Sequence, residues 1–195
     1  MSDTKNPSPP PLRAADKIRR TARELFYREG IRAVGVDEIV AQAGVTKPSL
    51  YRTYRSKDEL TAAVLMESAE SFWSYFDAAV GAHPGDPRAQ LMAFFEALSK
   101  RSSREDYRGC PLTNALVEYP RRDHPARITS QDHKDDLRRR LKAMALEMGA
   151  DEALGDALLL LVEGVYVTSQ AFDGDRPSAQ AAAAAAALIA AYTSR

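Results

Sequence analysis

Apolar residues along this chain recur three or four positions apart in segment after segment, the spacing of helices that bury one face. Over residues 14–29, Ile18, Ala22, Leu25 and Phe26 stand at i, i+4, i+7 and i+8, a first helix stopped by Gly30. Val36, Ile39, Val40 and Ala43 repeat the pattern in a second helix, and Gly44 supplies a tight turn after it. Val45 plugs the corner. Thr46 is the expected N-cap of a short third helix, with Pro48 in its first turn and Leu50 as its inward anchor. Ser56 and Glu59 read as a capping box opening a long helix to about residue 82.

Pro and Gly break the chain at residues 83–87, where Asp86 and Pro87 start a fifth helix to about residue 100 with Leu91, Phe94, Phe95 and Leu98 inward. A polar linker over 102–108 leads to a short sixth helix that starts at Cys110-Pro111 and ends before Pro120. A seventh helix is expected over 124–148, with Ile128, Leu137, Leu141, Met144 and Met148 on its apolar face and the charge run 134–140 and Lys142 as solvated surface. Residues 151–172 are apolar on nearly every side around 157–167, so this helix should be buried all round, inward and against a second copy of the chain. A last helix, 177–192, holds seven consecutive alanines, 181–187, then Leu188 and Ile189; short side chains let helix axes approach closely. The plain alternative for it is a filler helix of biased composition. The pattern therefore predicts an all-α fold of about nine helices: a tail at 1–12, polar and proline-rich and expected to be disordered, a three-helix domain at 13–60, and a larger domain at 61–195.

The third helix has an outer face made of Thr46, Lys47, Ser49, Tyr51 and Arg52, hydroxyls and cations on a short protruding helix, which is what reading the major groove of DNA requires. The run VDEIVAQAGVTKPSLYRTYRSKDEL, residues 36–60, resembles the helix-turn-helix of the TetR/AcrR family of transcriptional regulators, where V-x-x-I-A-x-x-A-G-V-S-x-x-x-L-Y-x-x-F-x-S-K-x-x-L recurs. Gly35 stands where that family usually has a Ser or Thr cap, and Tyr54 where it commonly has Phe. The resemblance covers the first sixty residues. It implies a homodimeric, ligand-responsive repressor on a palindromic operator, with the fourth helix touching a phosphate at its first turn and reaching the ligand-binding body at its far end.

On this reading Lys47 and Arg52 face base edges, each able to bond guanine O6 and N7, while Thr46, Ser49, Tyr51, Tyr54 and Lys57 hold phosphates and Lys17 adds a cation from the first helix. Family members usually dimerise through their last two helices, which assigns the seam here to Leu158, Leu161, Val165, Ala184 and Leu188. A small-molecule effector of unknown identity is expected in a body cavity lined by Trp73, Phe76, Phe94, Phe95, Leu116, Tyr119, Met144 and Tyr166. Asn114, Glu163, Thr168 and Gln170, polar positions within apolar helices, are the candidates to orient it. Cys110 keeps two readings. It is a small buried hydrophobe, or a thiolate favoured by a helix start and by Arg108, through which a repressor would sense an electrophile, as some family members do.

Charge supports the division of labour. The whole chain is neutral, with 27 Lys and Arg against 27 Asp and Glu. Residues 1–60 nonetheless carry 12 cations against 8 anions, a net +4, which leaves −4 on the remainder. One cysteine excludes an intrachain disulfide and fits a reducing cytoplasm. No apolar signal region opens the chain, and the longest apolar run, 181–192, falls short of the roughly 20 residues a bilayer needs. His83, His124 and His133 match no catalytic or metal-ligand spacing, so no catalytic residue, metal or cofactor is expected. A helical-bundle enzyme or small-molecule carrier, and a structural dimer that merely retains the motif, are the competing readings.

Overall fold

The computed structural model describes residues 13–172 and 176–194, and every regular element among them is helical. The expected tail at 1–12 lies outside the described residues. The chain divides into two compact units after Leu60.

In the first unit, α1 (Ala14–Glu29) packs on both α2 (Val36–Ala43) and α3 (Lys47–Thr53). Ile18, Ala22, Ile39 and Leu50 are fully buried where the three meet, which fixes the orientation of α3 from the inside. Gly44 closes α2 in the left-handed conformation, φ 64° and ψ 39°, a region a side chain would strain. Thr46 then caps α3, its Oγ1 accepting from the Ser49 N–H at 3.4 Å. The next helix, α4 (Lys57–Val80), is 24 residues long. Its cap is a shifted capping box: Ser56 Oγ accepts from the Glu59 N–H at 3.1 Å, but the Glu59 carboxylate takes the N–H of Arg55, at 2.7 Å, rather than that of Ser56.

The second unit is built from the remainder of α4 with α5 (Pro87–Ser102), α6 (Pro111–Glu118), α7 (Pro125–Glu147), α8 (Glu152–Ala171), a 3-10 turn at Pro177–Gln180 and α9 (Ala181–Thr193). Its broadest packing is α7 on α8, flanked by α6 on α7, α5 on α9 and α8 on α9. Gly155 permits the closest approach: a Cβ there would stand 2.6 Å from Lys142 Cα, so only a bare backbone lets α8 lie this near α7. Ion pairs rim the same junction, Arg138 to Asp156 at 2.6 Å and Lys142 to Glu152 at 3.0 Å. The Arg138 hydrogen bond holds the Asp156 carboxyl down to about 2.

Three expectations about this unit are corrected. Ile128 does not lie on the inner face of α7 but is 47% exposed, and Met148 falls beyond the helix as its C-cap. Leu137, Leu141 and Met144 set the buried face; at 100° per residue Ile128 sits half a turn away from Leu137, and the positions that fall inward are Ala126, Ser130, His133 and Lys134. Lys134 is therefore buried rather than solvated, although it opens the charge run. On α8, burial is one-sided within the chain: Leu158 and Val165 point into its own core, while Leu160 is 74% and Val167 57% exposed.

Candidate nucleic-acid interface

Burial of Leu50 turns the opposite side of α3 outward. Thr46, Lys47, Tyr51 and Arg52 are exposed and Ser49 is half-buried. Thr46, Ser49 and Arg52 stand three residues apart and are already in register with one another: the Thr46 and Ser49 hydroxyl oxygens are 3.1 Å apart, and Arg52 Nη2 donates to Ser49 Oγ at 3.5 Å. This row offers two hydroxyls and a fork-shaped cation on one helical face. Tyr51 is exposed beside it.

Two candidates are differently placed. Tyr54 is 7% exposed and serves as the C-cap of α3, so its ring belongs to the core of the unit. Lys57 is half-buried with Nζ 5.8 Å from the centre of the Phe26 ring, which steadies the lysine at the start of α4. Lys17, also half-buried, lies on α1, outside the row. A residue that sequence reasoning missed stands beside the row. Asp37, in the first turn of α2, binds Lys47 Nζ at 2.7 Å, and this hydrogen bond raises the lysine above its ordinary pKa.

In the second unit the expected effector residues separate into two largely buried groups and some local ties. One group surrounds Lys134, whose ammonium donates to Glu163 Oε1 at 2.7 Å, lies 3.7 Å from Cys110 Sγ and sits 5.0 Å above the Tyr166 ring. Thr113 Oγ1 donates to the other Glu163 oxygen at 2.8 Å. Burial pushes the Tyr166 hydroxyl well above its ordinary pKa, aided by Cys110, Tyr107 and Glu163.

The other group is aromatic: Phe72, Trp73, Phe76, Phe94 and Phe95 stack in sequence with ring centres 4.8 to 6.2 Å apart. His133 is pressed edge-on against Phe72 at 4.8 Å. Burial first and Lys134 second push this imidazole down to about 4, against a small opposing pull from Asp136.

The local ties are structural. Asn114 Nδ2 donates to the Arg108 carbonyl at 3.0 Å, the exposed Gln170 donates to the Tyr166 carbonyl at 3.1 Å, and Thr168 donates to the Gly164 carbonyl at 2.7 Å. Tyr119 stacks on His124 at 4.0 Å, and His124 caps α7. Met144 is buried. The shallow depression of about 300 Å³ lined by Asp86, Pro87, Arg88, Glu147, Met148 and Thr193 contains none of the expected effector residues.

Residues 18–64, from α1 into α4, match the sequence model of the bacterial regulatory proteins of the tetR family. The fold superposes on SCO4454, a TetR-family transcriptional regulator from Streptomyces coelicolor, with TM-score 0.89 and 27% identity over 94% of this chain and 92% of that one. The N-terminal unit is therefore of the tetR-family type. The matched segment is a helix-turn-helix of that family, and the α3 row is the part of it that has the chemistry of a reading head.

Among other TetR-type structures, one from Streptomyces avermitilis is similar at TM-score 0.76 and 28% identity, over 93% of this chain and 98% of that one. The transcriptional activator FasR of Mycolicibacterium smegmatis is 41% identical over 76 residues, 39% of this chain and 34% of FasR. An uncharacterized HTH-type regulator of Lactococcus lactis is 21% identical over 127 residues, 65% of each chain. The chain thus spans about a third of one curated relative's length and somewhat under two thirds of the other's. No helix among the described residues is long and apolar enough to cross a membrane.

Proposed function

We propose that this chain is a homodimeric repressor of the TetR family that holds a palindromic operator with two copies of the α3 row and is released by a small molecule bound in the second unit. The observation that carries the dimer is the outward stripe of α8. Leu160, Gly164 and Val167, at i, i+4 and i+7, line one exposed face, with no large polar side chain at these positions to solvate it. Half-buried Leu161, Ala184 and Leu188 border the buried positions of α8 and α9 and extend the proposed seam. A two-fold pairing of α8 and α9 would bury this stripe against its own copy.

DNA and effector would each favour one spacing of the two reading heads, the operator state matching successive major grooves about 34–36 Å apart. α4 is continuous from the first unit into the second, so a shift at its far end has a covalent route to the reading head. Lys47 and Arg52 would meet base edges; Thr46, Ser49, Tyr51 and Lys57 would hold phosphates.

The test pairs sedimentation with a gel shift on DNA upstream of the chain's own coding sequence. The wild type should sediment as a dimer and bind one palindrome with steep salt dependence. Leu160→Glu with Val167→Glu should sediment as a monomer and lose operator affinity at least tenfold. A wild-type monomer that binds the same palindrome equally well would overturn the proposal. The FasR similarity favours activation as the second reading of the sign, and a reporter fused to the bound promoter decides it: expression that falls on deletion of the regulator makes it an activator.

A further inference from the structure

Beside the well-paired Lys134, the adjacent residue on α7 is buried with nothing to pair with. Both ring nitrogens of His133 and the Ser130 hydroxyl lack a hydrogen-bond partner among the described residues, although His133 is 3% and Ser130 0% exposed. Native proteins rarely leave buried donors and acceptors unmet, and two such side chains three residues apart on one helical face form a local concentration of unmet polarity. The wall around His133 is aromatic: Phe72 edge-on at 4.8 Å and Trp73 at 5.4 Å, with Phe76 and Phe94 packed behind Phe72. Trp73 is the half-exposed ring of this wall. Arg140 covers it at 4.8 Å and is itself anchored to Asp77 at 2.6 Å.

We propose that His133 and Ser130 are the polar anchor of a small-molecule site behind Trp73, and that its occupant is an uncharged aromatic compound carrying a hydroxyl group. This rests on the ligand-released reading above and names the chemistry of its effector.

The aromatic body follows from the wall, since rings favour edge-to-face and offset contacts with Phe72, Phe76, Phe94 and Trp73. The hydroxyl follows from the orphans. A neutral imidazole offers one N–H donor and one bare nitrogen, and a serine both donates and accepts. One ligand hydroxyl can donate to the bare nitrogen of His133 and accept from Ser130. The lack of charge follows from the neighbours. Lys134 is satisfied by Glu163 and Arg140 by Asp77, so neither cation is free to neutralise an anion, while both would repel a cationic ligand. Desolvation and Lys134 keep the imidazole itself neutral at pH 7.

The chain holds one tryptophan, so the quenching of its fluorescence reports on Trp73 alone. The full-length protein is titrated with 4-chlorophenol and with chlorobenzene, which differ only by the hydroxyl. 4-Chlorophenol should quench saturably and bind at least tenfold more tightly than chlorobenzene. His133→Phe should reduce chlorophenol to the chlorobenzene level, and Ser130→Ala should weaken it severalfold. A urea midpoint at or above the wild type's verifies that His133→Phe is folded; should it fail to fold, the probe pair on the wild type and Ser130→Ala still decides.

Equal affinity for the two probes, or no saturable quench because water alone satisfies these groups, overturns the proposal. A hydroxyl preference that survives in both variants overturns it as well. Operator release, read by gel shift, separates this from the broader reading. His133-dependent binding of chlorophenol that leaves DNA affinity unchanged supports the site and overturns release by its ligand. Release by an organic extract of the source cells that is equal for wild type and His133→Phe preserves ligand release and overturns the site.

Discussion

Two neighbours on one helix show how differently this protein treats buried polarity. Lys134 reaches toward α8 and α6, where Glu163 takes its charge, Thr113 completes the carboxylate, and Cys110 and Tyr166 close around the ammonium. His133 faces α4, where Phe72 and Trp73 pack against it and both nitrogens stay without a hydrogen-bond partner among the described residues. The first arrangement is a closed network whose members fix α6, α7 and α8 relative to one another. The second is an open one, held in place by packing alone. Closed networks stabilise and open ones wait for a partner, so structural and binding roles divide between residues that adjoin in sequence.

The largest test of that contrast removes one member of the closed network. Glu163→Leu leaves an ammonium whose side chain is 10% exposed without its counter-charge, and it should cost about 3 kcal/mol, the usual penalty for breaking a buried pair. Adding Lys134→Met should return most of that loss, because the pair as a whole is worth far less than its halves are costly to isolate. Urea unfolding of the two variants checks both. A single-mutant loss no larger than that of a surface substitution would mean that the network is solvated after all.

A smaller effect is expected of the open side, and it depends on pH. The His133 imidazole titrates near 4 in the folded protein against an ordinary value of 6.5, because burial disfavours its charged form and Lys134 repels it. The unfolded chain therefore binds the proton first as acid is added. Stability from this residue is complete above about pH 6.5 and is lost as pH falls toward 4, by on the order of 2 kcal/mol once solvent screening at the Trp73 edge is allowed for. His133→Phe should remove that dependence. Unfolding midpoints at pH 7 and pH 4.5 provide the measurement, and an unchanged pH difference in the variant would show that other groups cause it.

The contrast also explains what the sequence discloses. The helix-turn-helix is legible because each of its signals is local: Gly44 is left-handed where a turn was needed, Thr46 caps the helix that follows it, and Leu50 is buried one turn from exposed residues. The family is legible there too, since its recurring pattern is contained in that span. α7 is harder to read. Its inward face is mostly polar over the first half, so the apolar stripe that should set the phase is missing, and Ile128 suggests a different one.

Lys134 opens the charge run and His133 directly precedes it, and nothing local distinguishes the residue with a carboxylate 29 positions away from the residue with none. Extrapolating the Leu137, Leu141 and Met144 stripe backward would have placed both inside. Which of them finds a partner depends on how α6, α7 and α8 meet, and periodicity does not encode that. The outward face of α8 was hidden for a similar reason: a helix apolar on nearly all sides does not declare which apolar face its own chain claims, and Leu158 and Val165 are inward while Leu160 and Val167 are exposed.

The smallest expected effect carries the comparison to the reading head, where the partner of a cation is exposed rather than buried. Lys47 spends the free state bound to Asp37 at 2.7 Å, with the side chains 52% and 80% exposed, so the pair is open to water and salt. To reach a base edge or a phosphate, Lys47 has to leave a carboxylate that itself repels DNA. Asp37→Asn keeps a hydrogen-bond acceptor at the same place and removes the charge. Operator affinity should rise about threefold at low salt and the salt dependence should steepen by up to about one unit of slope, as one more cation becomes available to phosphate. Non-specific DNA should gain about as much as the operator, because phosphates carry no sequence information. Gel shifts at two salt concentrations on operator and on unrelated DNA separate the outcomes. A loss of affinity in the variant would mean that Asp37 positions Lys47 for the groove rather than competing with it, and that this exposed pair belongs with the closed network at Lys134 in kind as well as in geometry.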